Sequence, residues 1–130
     1  MSIFELSDDV AVVIGATGAL GGACAIAMAE AGAKIAVVGR SAERGEARVK
    51  EIAEIGGTAQ FFCCDAMNPD SLKSCHEDVA KALGKPTVLL NAAGGNHPDA
   101  TVTPEMPFEK IPLPAWATVS YTHLTLPTKA

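Results

Sequence analysis

Val10-Ala11-Val12-Val13-Ile14-Gly15-Ala16-Thr17-Gly18-Ala19-Leu20-Gly21-Gly22 is an apolar run that ends in a glycine-punctuated turn and opens a helical pattern. A buried strand ending there would hand the chain to a helix whose free N–H groups point at an anion, while glycines let the backbone turn sharply and lie close to a ligand. That is the shape of a phosphate cradle, and it reads as dinucleotide binding. The glycines at 15, 18 and 21 form a G-x-x-G-x-x-G variant of the usual fingerprint. No Gly-Lys-Ser or Gly-Lys-Thr follows them, which excludes a P-loop. A glycine-rich turn that only packs is the competing reading of the same residues, so context has to decide.

Working outward, three short apolar runs, Val10 to Ile14, Ile35 to Val38 and Val88 to Leu90, show no polar alternation, as expected of parallel strands covered on both faces. Ala59-Gln60-Phe61-Phe62-Cys63 is a fourth candidate strand. Helical spacing joins Leu20, Cys24, Ala27, Met28 and Ala31, then Ala42, Gly45, Val49 and Ile52, then Leu72, Cys75, Val79 and Leu83, each able to lay one stripe on a sheet. Gly32, Gly56-Gly57 and Gly84 stand where helices end, and Ser41 and Asn68-Pro69 where they begin. The resulting β-α-β-α-β-α-β order predicts an α/β doubly wound parallel sheet of four strands in the order 3-2-1-4. Its switch point lies between the first and fourth strands, so the ligand crevice should be lined by the glycine turn and by the residues after Leu90.

Composition narrows the class. A chain of 130 residues, 48% of them hydrophobic, supports one domain with a real core. A formal charge of −5 and the lack of a Lys/Arg cluster argue against nucleic acid, which demands a basic face. The start, Met1-Ser2-Ile3-Phe4-Glu5-Leu6-Ser7, is unlike a secretory signal and no run is long enough to span a bilayer, so a cytoplasmic protein without membrane contact is expected. Cys24, Cys63, Cys64 and Cys75 show no C-x-x-C spacing and read as reduced, mostly core thiols. Cys63-Cys64 and Cys75-His76 are adjacent pairs whose side chains diverge, so no metal site is expected.

After the fourth strand comes Asn91-Ala92-Ala93-Gly94-Gly95-Asn96-His97-Pro98, and after the third Cys64-Asp65-Ala66. With the glycine turn, these motifs make residues 6 to 118 resemble the short-chain dehydrogenase/reductase family. The resemblance implies the N-terminal part of a Rossmann-type fold and an NAD(P)-dependent oxidoreductase that moves a hydride between nicotinamide and a secondary alcohol or ketone. It places Gly15, Thr17, Gly18, Leu20 and Gly21 around the pyrophosphate, Asp65 and Ala66 against the adenine, and Asn91, Ala93 and Gly94 near a ribose. Two departures are Ile14, where the family has threonine, and Ala19, where it has glycine; the methyl of Ala19 is tolerated if Gly18 takes the strained position. Ala92 replaces a second asparagine, so a side-chain role is lost there. The second strand ends in Val38-Gly39-Arg40-Ser41, with no carboxylate for the ribose hydroxyls. Arg40, with Ser41 beside it, suits a 2′-phosphate, which favours NADP over NAD, against the simpler reading of a solvated arginine opening a helix. The run Ala93 to Pro98 with Thr101 resembles the D-mannonate oxidoreductase (fructuronate reductase) branch, which implies a small-molecule sugar acid as substrate. His97 would then lie beside the nicotinamide, as substrate contact or as a structural loop histidine, while His76 reads as solvated.

The chemistry implied by the family needs a tyrosine four residues before a lysine, aided by serine and asparagine. Tyr121 is followed by Lys129 eight positions on, with Pro127 between them, so no catalytic residue is assigned. Val119 to Thr128 resembles the translation of a sequencing adapter, which sets the expected domain at 1–118 and makes 119–130 a non-native tail. The expectation is therefore a cofactor-binding piece of a homodimeric or homotetrameric reductase, itself inactive and marginally stable, with an open sheet edge and an uncovered apolar face after the fourth strand. A non-catalytic NADP-binding redox sensor is the alternative, and a native gene stopping near Val119 would distinguish it. A methyltransferase would want an acid where Gly39-Arg40 stands.

Overall fold

The computed structural model describes residues 2–94 and 98–124, with side chains of the final helix through Val119. Four strands, β1 (Val10–Ile14), β2 (Lys34–Gly39), β3 (Thr58–Cys63) and β4 (Val88–Asn91), form one parallel sheet in the order β3-β2-β1-β4. Helices α1 (Ala19–Glu30), α2 (Ala42–Glu54) and α3 (Pro69–Ala82) alternate with them, and α4 (Leu113–Leu124) follows two short 3-10 turns at Pro98–Ala100 and Phe108–Lys110. No described helix is long and apolar enough to cross a membrane.

Each central strand feeds two cores because successive side chains point to opposite faces. Ala11, Val13, Ile35 and Val37 pack with Ala25 and Ala29 of α1 and Ile52 of α2. Val10, Ile14, Ala36 and Val38 pack on the other face with Leu72, Cys75 and Val79 of α3. Complete burial of residues such as Ile35, Ile52 and Val79 contributes about 1.5–3 kcal/mol each.

Helix ends follow the punctuation. The Ser41 hydroxyl accepts from Arg44 N–H, and the Asn68 side chain accepts from the N–H groups of Asp70 and Ser71. Gly32, Gly56 and Gly84 follow the three helices with positive φ.

Two expectations about packing are corrected. The buried face of α1 is Gly21, Gly22, Ala25 and Ala29, whereas Leu20 is 82% exposed and Cys24 and Ala27 face outward. Apolar residues surround this helix on every side, so periodicity cannot choose a face; backbone approach at the two glycines does. In α2 the predicted stripe holds at Gly45 and Ile52, but Ala42 is exposed. The cysteines divide evenly: Cys64 and Cys75 are buried, while Cys24 sits on the outer face of α1 and Cys63 on an edge strand, both exposed.

On the other side of the sheet β4 pairs only with β1 among the described residues. Leu89 is 45% exposed there, and an apolar groove of about 490 Å³ runs between β4 and α3, lined by Val12, Leu72, Val79, Val88 and Leu89 among others.

Candidate functional site

At the carboxyl ends of the strands, β1 hands the chain to α1 through Gly15, whose φ is +86°. A Cβ there would stand 2.6 Å from the Ala92 carbonyl carbon and 2.7 Å from Ala93 N, so the loop lies directly on the segment leaving β4. Gly21 is bare for the same reason: a Cβ would collide with the Gly15 carbonyl and lie 3.0 Å from the Ala92 methyl. The turn is closed by Gly18 N–H donating to Gly15 C=O at 3.1 Å, and Gly15 N–H donates to Val38 C=O at 3.0 Å. The strained position is thus Gly15 and not Gly18, which caps α1 at φ −85°, ψ 176° with room for a Cβ. Ala19 needs no such dispensation, because it is simply the first residue of the helix.

The other strand ends close the cleft. Gly39 lies under Thr17, whose Cγ2 would be 3.0 Å from any Cβ at 39. Asp65 folds its own loop: its Oδ1 accepts from Met67 N–H at 2.9 Å, and its N–H donates to Ser71 Oγ at 3.0 Å. Asn91 does the same after β4, its Oδ1 accepting from Ala93 N–H at 3.1 Å.

The cleft so formed measures about 440 Å³. Of the residues expected at the site, Gly15, Thr17, Gly18, Arg40, Asp65, Ala66, Ala93 and Gly94 line it. Leu20, Gly21, Ser41 and Asn91 stand beside it: Leu20 is exposed on α1, Gly21 supports the turn, Ser41 caps α2 and Asn91 orients its loop. His97, with Gly95 and Asn96, lies outside the described residues, as do Pro127 and Lys129. His76 is exposed on α3. Residues missed in the sequence include Arg44, Met67 and, from α4, Thr118 and Val119, which reach the cleft from a distant part of the chain. Arg44 was findable, since it follows Arg40 by four residues just inside a capped helix. Among the described residues no group of three or more His, Cys, Asp or Glu side chains could hold a metal ion. A glycine turn that side chains would fill, ending at a helix N-terminus and facing two arginines across an open cleft, suits an anionic, elongated ligand such as a dinucleotide.

Cys64, which lines the cleft, forms a thiol pair with Cys75 of α3. The Cys75 thiol hydrogen-bonds to Cys64 and, with the Ser71 hydroxyl donating to Cys64 Sγ at 3.6 Å, lowers the Cys64 thiol from 9.0 to about 6 against the opposing effect of burial and of Asp65. The same hydrogen bond, together with burial, pushes Cys75 up. Stability linked to Cys64 is complete above 9.0 and is lost as pH falls toward about 6; stability linked to Cys75 is present below 9.0 and is lost as pH rises above it. Thiolate absorbance of the native chain should therefore show a transition near pH 6 that Cys64→Ser removes and Cys75→Ser moves upward. Titration of every thiol near 9.0 would contradict the pairing.

Comparison with known proteins places this geometry. The family described as short chain dehydrogenase matches residues 9–126. Both that span and helix α4 run past residue 118. The uncharacterized oxidoreductase UxuB of Bacillus subtilis is 43% identical over 96 residues, covering 74% of this chain and 34% of that protein. A 3beta-hydroxysteroid dehydrogenase of Mediterraneibacter gnavus is 39% identical over 90 residues, covering 69% and 33%. A candidate D-mannonate oxidoreductase from Haemophilus influenza, solved with bound NAD, superposes with a TM-score of 0.80 at 24% identity, over 95% of this chain and 49% of that one. The chain thus spans about a third of the length of these curated relatives and about half of the solved structure.

Proposed function

Since the chain belongs to the short-chain dehydrogenase family, we propose that it is the cofactor-binding part of an NAD(P)-dependent oxidoreductase acting on a secondary alcohol or ketone. The observation that carries this reading is the contact of Gly15, at φ +86°, with the Ala92-Ala93 backbone, which joins the glycine turn to the segment after β4 in one cleft. Gly15, Thr17 and Gly18 hold the pyrophosphate, Asp65 and Ala66 the adenine, and Ala93 and Gly94 approach a ribose, with Leu20, Gly21, Ser41 and Asn91 in support. When bound, the nicotinamide supplies or accepts the hydride. Arg40 and Arg44 line the cleft from the β2 side, and the strand ends in Val38-Gly39-Arg40-Ser41 with no carboxylate for the ribose hydroxyls, which favours NADP over NAD. The substrate is a sugar acid of the D-mannonate/D-fructuronate kind, a reading supported by the run Ala93 to Pro98 with Thr101. The whole enzyme is a cytoplasmic homodimer or homotetramer. These 130 residues contain no tyrosine with a lysine four positions on, so alone they bind without turning over.

Calorimetric titration of the chain with NADP and NAD tests the reading. NADP is expected to bind more tightly and neither cofactor to support D-fructuronate reduction by the chain alone. Binding of neither would overturn the cofactor site; tighter NAD binding would overturn the preference.

A further inference from the structure

Arg48 lies in the middle of α2 and turns away from the solvent that its neighbours Ala47 and Lys50 face; its side chain is only 18% exposed. Its guanidinium reaches back to the glycine turn, where Nε donates to Ala16 C=O at 3.2 Å and Nη2 to Gly18 C=O at 3.5 Å, while Nη1 pairs with Glu51. Arg48 is not on the wall of the cleft. It grips the turn from behind.

The glycine at 22 belongs to the same arrangement. A Cβ there would stand 2.5 Å from Arg48 Cζ and 2.8 Å from Nε, so the guanidinium rests on bare helix backbone. Gly22 is a buried interior position of α1, where glycine weakens a helix relative to alanine. The three nearest atoms to its absent side chain all belong to Arg48, whereas those at Gly15 and Gly21 belong to the turn and to the segment leaving β4.

From these contacts we infer that Arg48 is a positioning residue of the pyrophosphate turn and that Gly22 makes room for it. The inference rests on the dinucleotide reading of the cleft. Its physical basis is the peptide plane. No described peptide bond is cis, and in a trans peptide C=O and N–H point in opposite directions. Holding the carbonyls of Ala16 and Gly18 on the α2 side therefore turns the N–H groups of Thr17 and Ala19 away from α2. Those donors stand at the start of α1, where the helix has no carbonyls of its own to offer them. Two charge-neutral peptide units are thereby oriented before any anion arrives, and the pairing of Arg48 with Glu51 keeps the guanidinium from competing as a ligand itself.

The test uses two ligands on the intact chain: ADP, which carries the pyrophosphate, and 2′-AMP, which reaches the adenine and the 2′-phosphate end without it. Arg48→Ala should weaken ADP binding about tenfold and leave 2′-AMP within about twofold, with the circular-dichroism spectrum unchanged. Gly22→Ala should weaken ADP similarly when Arg48 is present. In the Arg48→Ala background the same Gly22→Ala change should cost no further ADP affinity and should raise the melting temperature, because alanine is then simply the better helix former. Unchanged ADP binding in Arg48→Ala, equal loss of both ligands, or additive losses in the double variant would overturn the inference while leaving the cofactor site intact. Failure of the parent chain to bind either ligand would overturn the dinucleotide reading and this inference with it.

Discussion

Replacing Gly15 by alanine is expected to abolish cofactor binding and to destabilise the fold by at least about 2 kcal/mol. Two effects add. An L-residue at φ +86° pays about 1–2 kcal/mol for the left-handed region alone. The new methyl would also enter the space of the Ala92 carbonyl at 2.6–2.7 Å, a backbone neighbour that cannot rotate aside. Relief would have to come from displacing the segment that carries Ala93 and Gly94 into the cleft, so the second effect acts on the site as well as on stability. Gly18→Ala is the control: its φ is −85° and the nearest atom to a Cβ is 3.5 Å away, so the fold should be nearly unaffected. Denaturant unfolding and calorimetry on the two variants check this. Equal stability of Gly15→Ala and Gly18→Ala would mean that the turn does not press on β4 as described.

Replacing Arg40 by alanine should lower NADP affinity about 10- to 100-fold and leave NAD affinity within about twofold. Charge-assisted hydrogen bonds to a phosphate are worth about 1.5–3 kcal/mol each, and NAD has no 2′-phosphate to lose them. Arg44→Ala should shift the ratio in the same direction, because its side chain lines the same cleft one helical turn beyond Arg40. An NAD affinity that fell in parallel with NADP would assign both arginines to the common part of the cofactor. An unchanged NADP affinity would return Arg40 to the solvated arginine of the simpler reading.

The sheet was legible because its signals are one-dimensional. Uninterrupted apolar runs, Ser41 and Asn68 as caps and glycines after three helices each depend on the local chain, and strand order followed from the crossover rule. The face of α1 was not legible, since a helix of alanines and glycines with Leu20 and Met28 has no polar side to exclude. Nor was the location of strain, because Gly15 and Gly18 look alike until the backbone of Ala92 is brought against one of them. Asn91 was assigned to the ribose because of its place in a motif; that its Oδ1 also accepts from the Ala93 amide is a relation the motif does not reveal. Arg48, Thr118 and Val119 could not be found by spacing at all: their relation to the turn exists only in three dimensions.

The most direct test of the central claim is an amide chemical-shift map of the isotopically labelled chain on addition of NADP. The glycine turn should respond most, at Thr17 through Gly22, with further shifts at Arg40, Asp65 and Ala93 around the same cleft. Shifts confined to Leu72, Val79 and Leu89, which line the apolar groove beside β4, or no shifts at saturating NADP, would contradict it.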